Sequence, residues 1–409
     1  MAEFSMAMTE EQEQLRDWIN GFAVDVMRPN AAEWDEREET PWPIIEEAAK
    51  IGLYGWEFLA EMMMNDPSGQ SLMIAIEEMF WGDAGLAMSI MGSALAAAGI
   101  AAVGTSEQVL EWVPQCYGTA EDIKLGAFCS SEPDAGSDVS AIRTKATYDE
   151  AKDEWTLNGT KTWITNGGIA DIHVVVAVVD AALGTKGHAS FIVPAEAKLD
   201  GSLRQGQKFK KHGIRASHTA EVILEDVKIP GSFLLGGKDR MDEKFARLHE
   251  GGPGSGSGSA AMKTFEATRP GVGAQAVGIA RAAFEYSRDY AKERVQFGRP
   301  IIQNQSIAFM LADMATEIEA SRLLVRRAAW LAKNGEFTSA EGSMAKLKAG
   351  RTATWVTERA IQILGGYGYT REYPVERWHR DAKIHDIFEG TEQIQQLVIS
   401  RAISGMRIE

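Results

Sequence analysis

The sequence predicts an α+β chain built in three successive units, and the change in hydrophobic spacing along it carries that prediction. Residues 9 to about 122 repeat apolar side chains at helical spacing, the stretch to about 235 turns to β-branched runs, and helical spacing returns from about 261. A low-complexity run, G-G-P-G-S-G-S-G-S at 251–259, separates the last two textures. The expected units are 1–122 (helical), 123–235 (strand-rich), 236–260 (a Gly/Ser-rich insert or linker) and 261–409 (helical).

Each element follows from local signals. Thr9, with Gln12 three residues on, offers a capping box, and Leu15, Trp18, Ile19 and Phe22 form one helical stripe. Ile44, Ile45, Ala48 and Ile51 repeat the pattern before Gly52, a natural stop. Ala84 to Ser106 carries no charge and is long enough to span a bilayer. Its dominance by Ala, Gly, Ser and Met instead favours one closely packed, buried helix. In the middle, Trp155-Thr-Leu-Asn-Gly-Thr predicts a strand entering an Asn-Gly turn. Ile172 to Val179, Ser190 to Val193 and Glu221 to Ile229 predict further strands. Ile307, Met310, Leu311, Met314 and Ile318 mark one face of a long helix, and Ser339 to Leu364 another helix. The Gly/Ser run should be mobile unless a partner orders it.

Composition narrows the function classes. With 45% hydrophobic and 24% charged residues, the 409-residue chain has globular texture and length for a large core. A net charge of -16 argues against broad nucleic-acid binding, which needs a basic face. Two cysteines, Cys116 and Cys129, make no disulfide framework and read as buried, inert thiols of a reducing, cytoplasmic setting. The early T-E-E-Q-E-Q is acidic and helix-forming, unlike a secretory signal.

Three motif matches are set aside. Gly271-Val-Gly-Ala-Gln-Ala fits a dinucleotide fingerprint but follows Arg269-Pro270 rather than a strand. His379-Arg380-Asp381 lacks the other parts of a kinase loop. His379 and His385 have no supporting ligand pattern, so no metal site is expected.

Chemistry concentrates near the C-terminus. In I-F-E-G-T-E-Q-I-Q, Glu389 stands between the bulk of Phe388 and the close-approach residue Gly390. Apolar surroundings disfavour the charged carboxylate and raise its pKa toward a useful range for a general base. Beside it stand C-S-S-E-P-D-A-G-S-D (from Cys129), W-I-T-N (from Trp163), E-R-V-Q-F-G (from Glu293) and Q-I-L-G-G-Y-G-Y (from Gln362). These segments, in this order, resemble those of the acyl-CoA dehydrogenase family of flavoproteins. Asp134 and Ser131 depart from the commonest form of the first signature, where glycine and threonine are usual.

The resemblance implies an N-terminal helical domain, a middle antiparallel β domain and a C-terminal four-helix bundle. It implies FAD, with Phe128, Ser130 and Ser131 lining the isoalloxazine and Trp163 and Thr165 on its other side. Arg294, Phe297, Gln305, Gln362, Gly365 and Gly366 match positions for the pyrophosphate and adenosine, much of that set reaching a neighbouring subunit's flavin in a homotetramer, a dimer of dimers. Thr391 and Gln393 match a further FAD pair; Ser137, Arg269 and Arg401 match CoA contacts, and Gly390 lies against the substrate. Glu389 would take the α-proton of an acyl thioester while the β-hydrogen leaves as hydride, and an electron-transferring flavoprotein would receive the electrons. The carbonyl would accept hydrogen bonds from the amide of the catalytic Glu and from a ribityl hydroxyl.

Two other readings remain open on sequence: an oxidase that passes electrons to oxygen, and a catalytically silent FAD- or CoA-binding subunit. The interval from Thr165 to Arg269 is longer than usual for such a chain. Small residues at Ala94, Ala96 and Ala97, after Ala87 and Met91, leave an expectation of room for a straight acyl chain of medium or greater length.

Overall fold

The computed structural model describes residues 4–251, 260–335 and 339–408. Helices α1 (Glu10–Phe22), α2 (Arg28–Arg37), α3 (Trp42–Lys50), α4 (Trp56–Met64), α5 (Ser71–Gly82), α6 (Ala84–Met91), α7 (Ala94–Val103) and α8 (Ser106–Gln115) come first. The capping box forms: the Thr9 hydroxyl accepts the Gln12 amide, and the Gln12 side chain accepts the Thr9 amide, both at 3.2 Å. Ile19 and Phe22 are buried, while Trp18 lies at the exposed flank of their stripe.

The apolar stretch expected as one helix is two, α6 and α7. Asp83 caps α6 by accepting the Leu86 amide at 3.0 Å, and Gly92 and Ser93 break the run. The Ser93 hydroxyl accepts the Gly126 amide at 2.9 Å, which ties the break to the sheet. By length and composition Ala84–Val103 is apolar enough to cross a membrane, yet most of it is buried in this fold.

The sheet comprises β1 (Gly126–Cys129), β2 (Lys145–Asp149), β3 (Glu154–Thr165), β4 (Ile172–Val178), β5 (His188–Pro194), β6 (Leu203–Lys208) and β7 (Thr219–Pro230), with the short α9 (Glu196–Leu199) between β5 and β6. Its order is β1-β4-β2-β3-β7-β6, with β5 on the other edge of β4. The pairs are antiparallel, as expected, except at β4, which runs parallel to both β1 and β2. The β2–β3 hairpin lies within the connection from β1 to β4, which supplies the length a parallel crossover needs. β4 is buried almost throughout, as its unbroken β-branched run requires.

Asn158-Gly159 does not turn the chain. The strand continues through it as a bulge, with a register shift between Leu157 and Gly159. Asn158 exchanges hydrogen bonds with Asp226 at 3.0 and 2.8 Å. A Cβ at Gly159 would lie 2.4 Å from the Thr144 hydroxyl, so close approach explains the glycine.

The segment expected as a linker contains a helix, α10 (Lys238–His249), held by His249 to Asp180 at 2.6 Å and by the buried Phe245. The Gly/Ser run expected to be mobile lies, at 252–259, outside the described residues. Beyond it run α11 (Ala260–Glu293), the two-residue strands β8 (Val295–Gln296) and β9 (Arg299–Pro300), α12 (Gln305–Lys333), α13 (Ser339–Leu364), α14 (Val375–Ala382) and α15 (Glu392–Ser404). Helices α11, α12 and α13 pack on one another, α15 lies on α13, and α5 lies on α11. Buried ion pairs stitch the two helical units together. Arg281 of α11 donates to Glu78 at 2.6 Å and Glu77 at 2.9 Å, and Arg322 of α12 donates to Glu77 at 2.9 Å. Removing one partner of such a set leaves an uncompensated buried charge, which is why all are found paired.

Candidate active site

Glu389 lies in the short loop before α15, at φ 53°, and Gly390 follows at φ 96°. A non-glycine residue in this left-handed region costs roughly 1–2 kcal/mol, so surrounding contacts must hold the turn. Three do so. The Lys346 ammonium, from α13, donates to the Gly390 carbonyl at 2.5 Å. The Gln395 amide donates to the same oxygen at 2.9 Å. On the other side, the Thr268 hydroxyl of α11 donates to the Glu389 carboxylate at 2.5 Å. Thr391 then caps α15 by accepting the Ile394 amide.

Glu389 is half-buried, with its carboxyl group turned to the Thr268 hydroxyl. Burial pushes that carboxyl above the ordinary glutamate value of 4.5, and the Thr268 hydroxyl, Lys346 and Arg269 draw it back only in part. Arg269, matched to a CoA contact, lies buried near this carboxylate. It is only 1% exposed, donates to the Ser343 hydroxyl at 3.2 Å and acts on Glu389 through its charge. The other expected CoA residues are open: Ser137 is exposed, and Arg401 is exposed with its guanidinium on the Ile408 carbonyl at 2.9 and 2.5 Å.

A second constellation sits on the sheet. Phe128 is buried against α7, where a Cβ on Gly99 would meet its ring at 2.7 Å. Ser130 and Ser131 are fixed through their carbonyls, which accept the Lys161 ammonium at 3.0 Å and the Thr162 amide at 2.9 Å. Lys161 is fully buried and pairs with Glu132 at 2.8 Å, and Glu132 also accepts the Arg143 and Thr144 amides. The loop carrying both serines is thus clamped by a buried ion pair. Trp163 stands out: φ is 61°, the side chain is 62% exposed, and its ring stacks on Phe209 at 4.1 Å between centroids. A strained residue presenting a large aromatic face to solvent is a functional signal rather than a core one. Thr165 follows it, half-buried, on β3 paired with Thr219.

A third constellation is an open groove of about 740 Å³ lined by Arg294, Phe297, Ile307, Gly365, Gly366 and Tyr367. Arg294 lies over the Tyr367 ring at 5.5 Å, and Phe297 is 96% exposed at φ 56°. Gln305, at the start of α12, and Gln362, near the end of α13, are exposed beside groove-lining neighbours. None of the residues around Glu389 lines this groove. Gln393 is engaged with Glu392 at 3.0 Å. Thr268, Lys346, Lys161, Glu132 and Phe209 are additions that sequence reasoning missed, and only the helical or strand texture around them was visible beforehand.

The donor set suits a flavin nucleotide: an exposed aromatic face, fixed serines, and an arginine beside two exposed glycines in a groove of nucleotide size. Residues 9–118, 127–227 and 256–404 match, in turn, the acyl-CoA dehydrogenase N-terminal, middle and C-terminal domains. The chain belongs to the acyl-CoA dehydrogenase family. It is accordingly an acyl-CoA dehydrogenase, a flavoprotein oxidoreductase of fatty acid metabolism. It is 40% identical over 399 residues to the short-chain specific acyl-CoA dehydrogenase of Clostridium acetobutylicum, covering 97% of this chain and 98% of that protein. It superposes on butyryl-CoA dehydrogenase from Megasphaera elsdenii with a TM-score of 0.86 at 36% identity, covering 98% and 100% of the two chains. A chain from the structure described as the electron transferring flavoprotein of Acidaminococcus fermentans gives the same TM-score of 0.86 at 37% identity, covering 98% and 99%.

Because the Glu389 pKa is raised, its ionised fraction is lost as pH falls through a value above 4.5. Thr268→Val removes a donor to the ionised form, so the pKa should rise further. The pH profile of acyl-CoA dehydrogenation checks this: the acidic limb of the variant is expected at higher pH than that of the wild type. Coincident limbs would show that the Thr268 bond does not govern the ionisation.

Proposed function

We propose that this protein dehydrogenates a straight short-chain acyl-CoA to its trans-2-enoyl thioester, with Glu389 as the base and FAD as its cofactor. The observation that carries the reading is the desolvated Glu389 carboxyl, held in a strained turn by donors from two other helices. A carboxylate there removes the α-proton, and the dry setting raises its basicity toward that task. Among the described residues no acceptor takes up the Glu389 amide, which leaves that N–H for the thioester carbonyl. One such preorganised donor is typically worth roughly 3–4 kcal/mol to the developing enolate. FAD, when bound, supplies the acceptor for the β-hydride. Phe128, Ser130, Ser131, Trp163 and Thr165 would hold its ring, and Thr391 and Gln393 lie beyond the base. Ser137 and Arg401 would meet CoA from the open side, and Arg269 would meet it from its buried place near the carboxylate.

Glu389→Gln keeps the shape and removes the base. Anaerobic flavin bleaching by butyryl-CoA should fall by roughly 10²–10⁴-fold with flavin still bound. Near-normal bleaching would move the base elsewhere. Reoxidation by an electron-transferring flavoprotein is the expected outlet, supported by the similarity noted above.

The short chain reverses the sequence expectation. Ala96 is spent on packing: a Cβ on Gly126 would lie 2.9 Å from the Ala96 methyl. The space beside Met91 and Ala94, bounded by Tyr54, Phe58, Met79 and Tyr117, is about 10 Å³, room for little more than a water. The similarity to short-chain specific enzymes points the same way. A series of straight acyl-CoAs should show kcat/KM peaking near butyryl. A rise of about fourfold per methylene through octanoyl, the roughly 0.8 kcal/mol of each buried CH₂, would contradict this.

The Arg294 groove is lined by none of the residues around Glu389, and Phe297 and Tyr369 are 96% and 86% exposed. These features support a homotetramer, a dimer of dimers in which each groove, with Gln305 and Gln362 beside it, completes a neighbour's FAD site. Light scattering should give four copies, and Arg294→Ala should lose FAD. A fully flavinylated monomer would refute it. Two free, buried thiols, each pushed up to about 12 by burial, suit a cytoplasmic setting.

A further inference from the structure

Lys346 is a buried charged group beside the Glu389 turn. It is 1% exposed, in the first third of α13, where an ammonium loses its water shell and needs compensation. Its hydrogen bond goes to the Gly390 carbonyl at 2.5 Å, at the second of the two consecutive left-handed residues. Gln395 reaches the same oxygen from α15, so the turn is gripped from two helices. The carboxylates that Lys346 faces are Glu389, Asp386 and Glu392; the nearby cation is Arg269, and the buried His385 is held neutral. Asp386 already pairs with Lys383 at 3.0 Å and accepts the Thr354 hydroxyl at 3.1 Å. Glu392 pairs with Arg351 at 3.0 Å. Glu389 alone among the three has no charged donor on its carboxylate among the described residues; its hydrogen bond comes from the Thr268 hydroxyl.

We propose that Lys346 is a positioning residue for Glu389: it fixes the left-handed turn through the Gly390 carbonyl and supplies buried positive charge opposite the carboxylate. The inference rests on Glu389 being the base. Burial pushes the Lys346 ammonium down to about 8, so it still carries its charge at neutral pH. Two contributions are therefore separable. The hydrogen bond sets geometry and governs kcat, while the charge sets the pH at which the carboxylate becomes available.

The experiment uses the full-length FAD-loaded enzyme and the variants Lys346→Arg, Lys346→Gln and Lys346→Met. Anaerobic flavin bleaching by butyryl-CoA and loss of α-deuterium from labelled butyryl-CoA to solvent are followed across pH. Lys346→Arg keeps the charge and should retain the acidic limb of the wild type. Lys346→Gln keeps a donor without charge and should move that limb upward by about one pH unit, tenfold fewer ionised carboxylates on the acid side. Lys346→Met should show the same shift with a further fall in kcat and little change in KM. Should Lys346→Met fail to retain FAD, Lys346→Gln decides alone. A flavin-loaded Lys346→Gln with an unshifted limb overturns the proposal. Glu389→Gln, run alongside, separates the two readings. Wild-type deuterium loss in that variant overturns the base assignment and this inference with it. An inert Glu389→Gln beside an unshifted Lys346→Gln overturns this inference alone.

Discussion

Everything around the site depends on how closely helix α11 approaches its neighbours. From Ala274 to Ala283 it is buried on all sides, with Ala274, Ala276, Ala280, Ala282 and Ala283 at the contacts and glycines where backbones nearly touch. A Cβ on Gly278 would lie 2.4 Å from the Glu77 carbonyl of α5, and one on Gly273 would lie 2.7 Å from Val325 of α12. Inserting even a methyl at such a crossing forces backbone shifts that typically cost about 1–3 kcal/mol. This packing explains the dinucleotide-like run from Gly271 to Ala276: its small residues admit other helices, not a phosphate. It also sets the reach of the residues at either end. Thr268 and Arg269 arrive at Glu389 from α11, and Lys346 arrives from α13, because those two helices share an extended contact.

That arrangement shows what the sequence could and could not reveal. Glu389, the base of the proposed reaction, stood out because its signal is local, a carboxylate between an aromatic and a glycine in a specific segment. The strand and helix textures were legible for the same reason, since spacing along the chain records which face is buried. Thr268 was not legible, because it meets Glu389 across 121 positions of sequence. Lys346 lies 44 positions before Gly390 and reads, in A-K-L-K-A, as an ordinary solvated helix lysine. Arg269 was matched to a CoA contact, and its burial and its bond to Ser343 come from packing that the local sequence does not record. Local errors had local causes too. Asn158-Gly159 has the composition of a turn, but the close approach of Thr144 and the exchange with Asp226 keep the strand going.

The site also divides its charges in a consistent way. Where rigidity is needed, carboxylates are fully paired: Glu132 with Lys161 beneath the serine loop, Glu77 and Glu78 with Arg281 and Arg322 between the helical units. Such pairs offset their own desolvation and leave no group free to react. Glu389 is treated differently. Its direct partner is a hydroxyl, its two cations act mainly through their field, and desolvation wins, so its pKa rises where that of Glu132 falls. Between these two carboxylates the difference is whether a charged donor touches the group: Lys161 does so at Glu132, and the Thr268 hydroxyl takes that place at Glu389. Placing the ammonium of Lys346 on the neighbouring carbonyl, rather than on the carboxylate itself, lets one buried charge restrain the turn without forming a direct ion pair with Glu389.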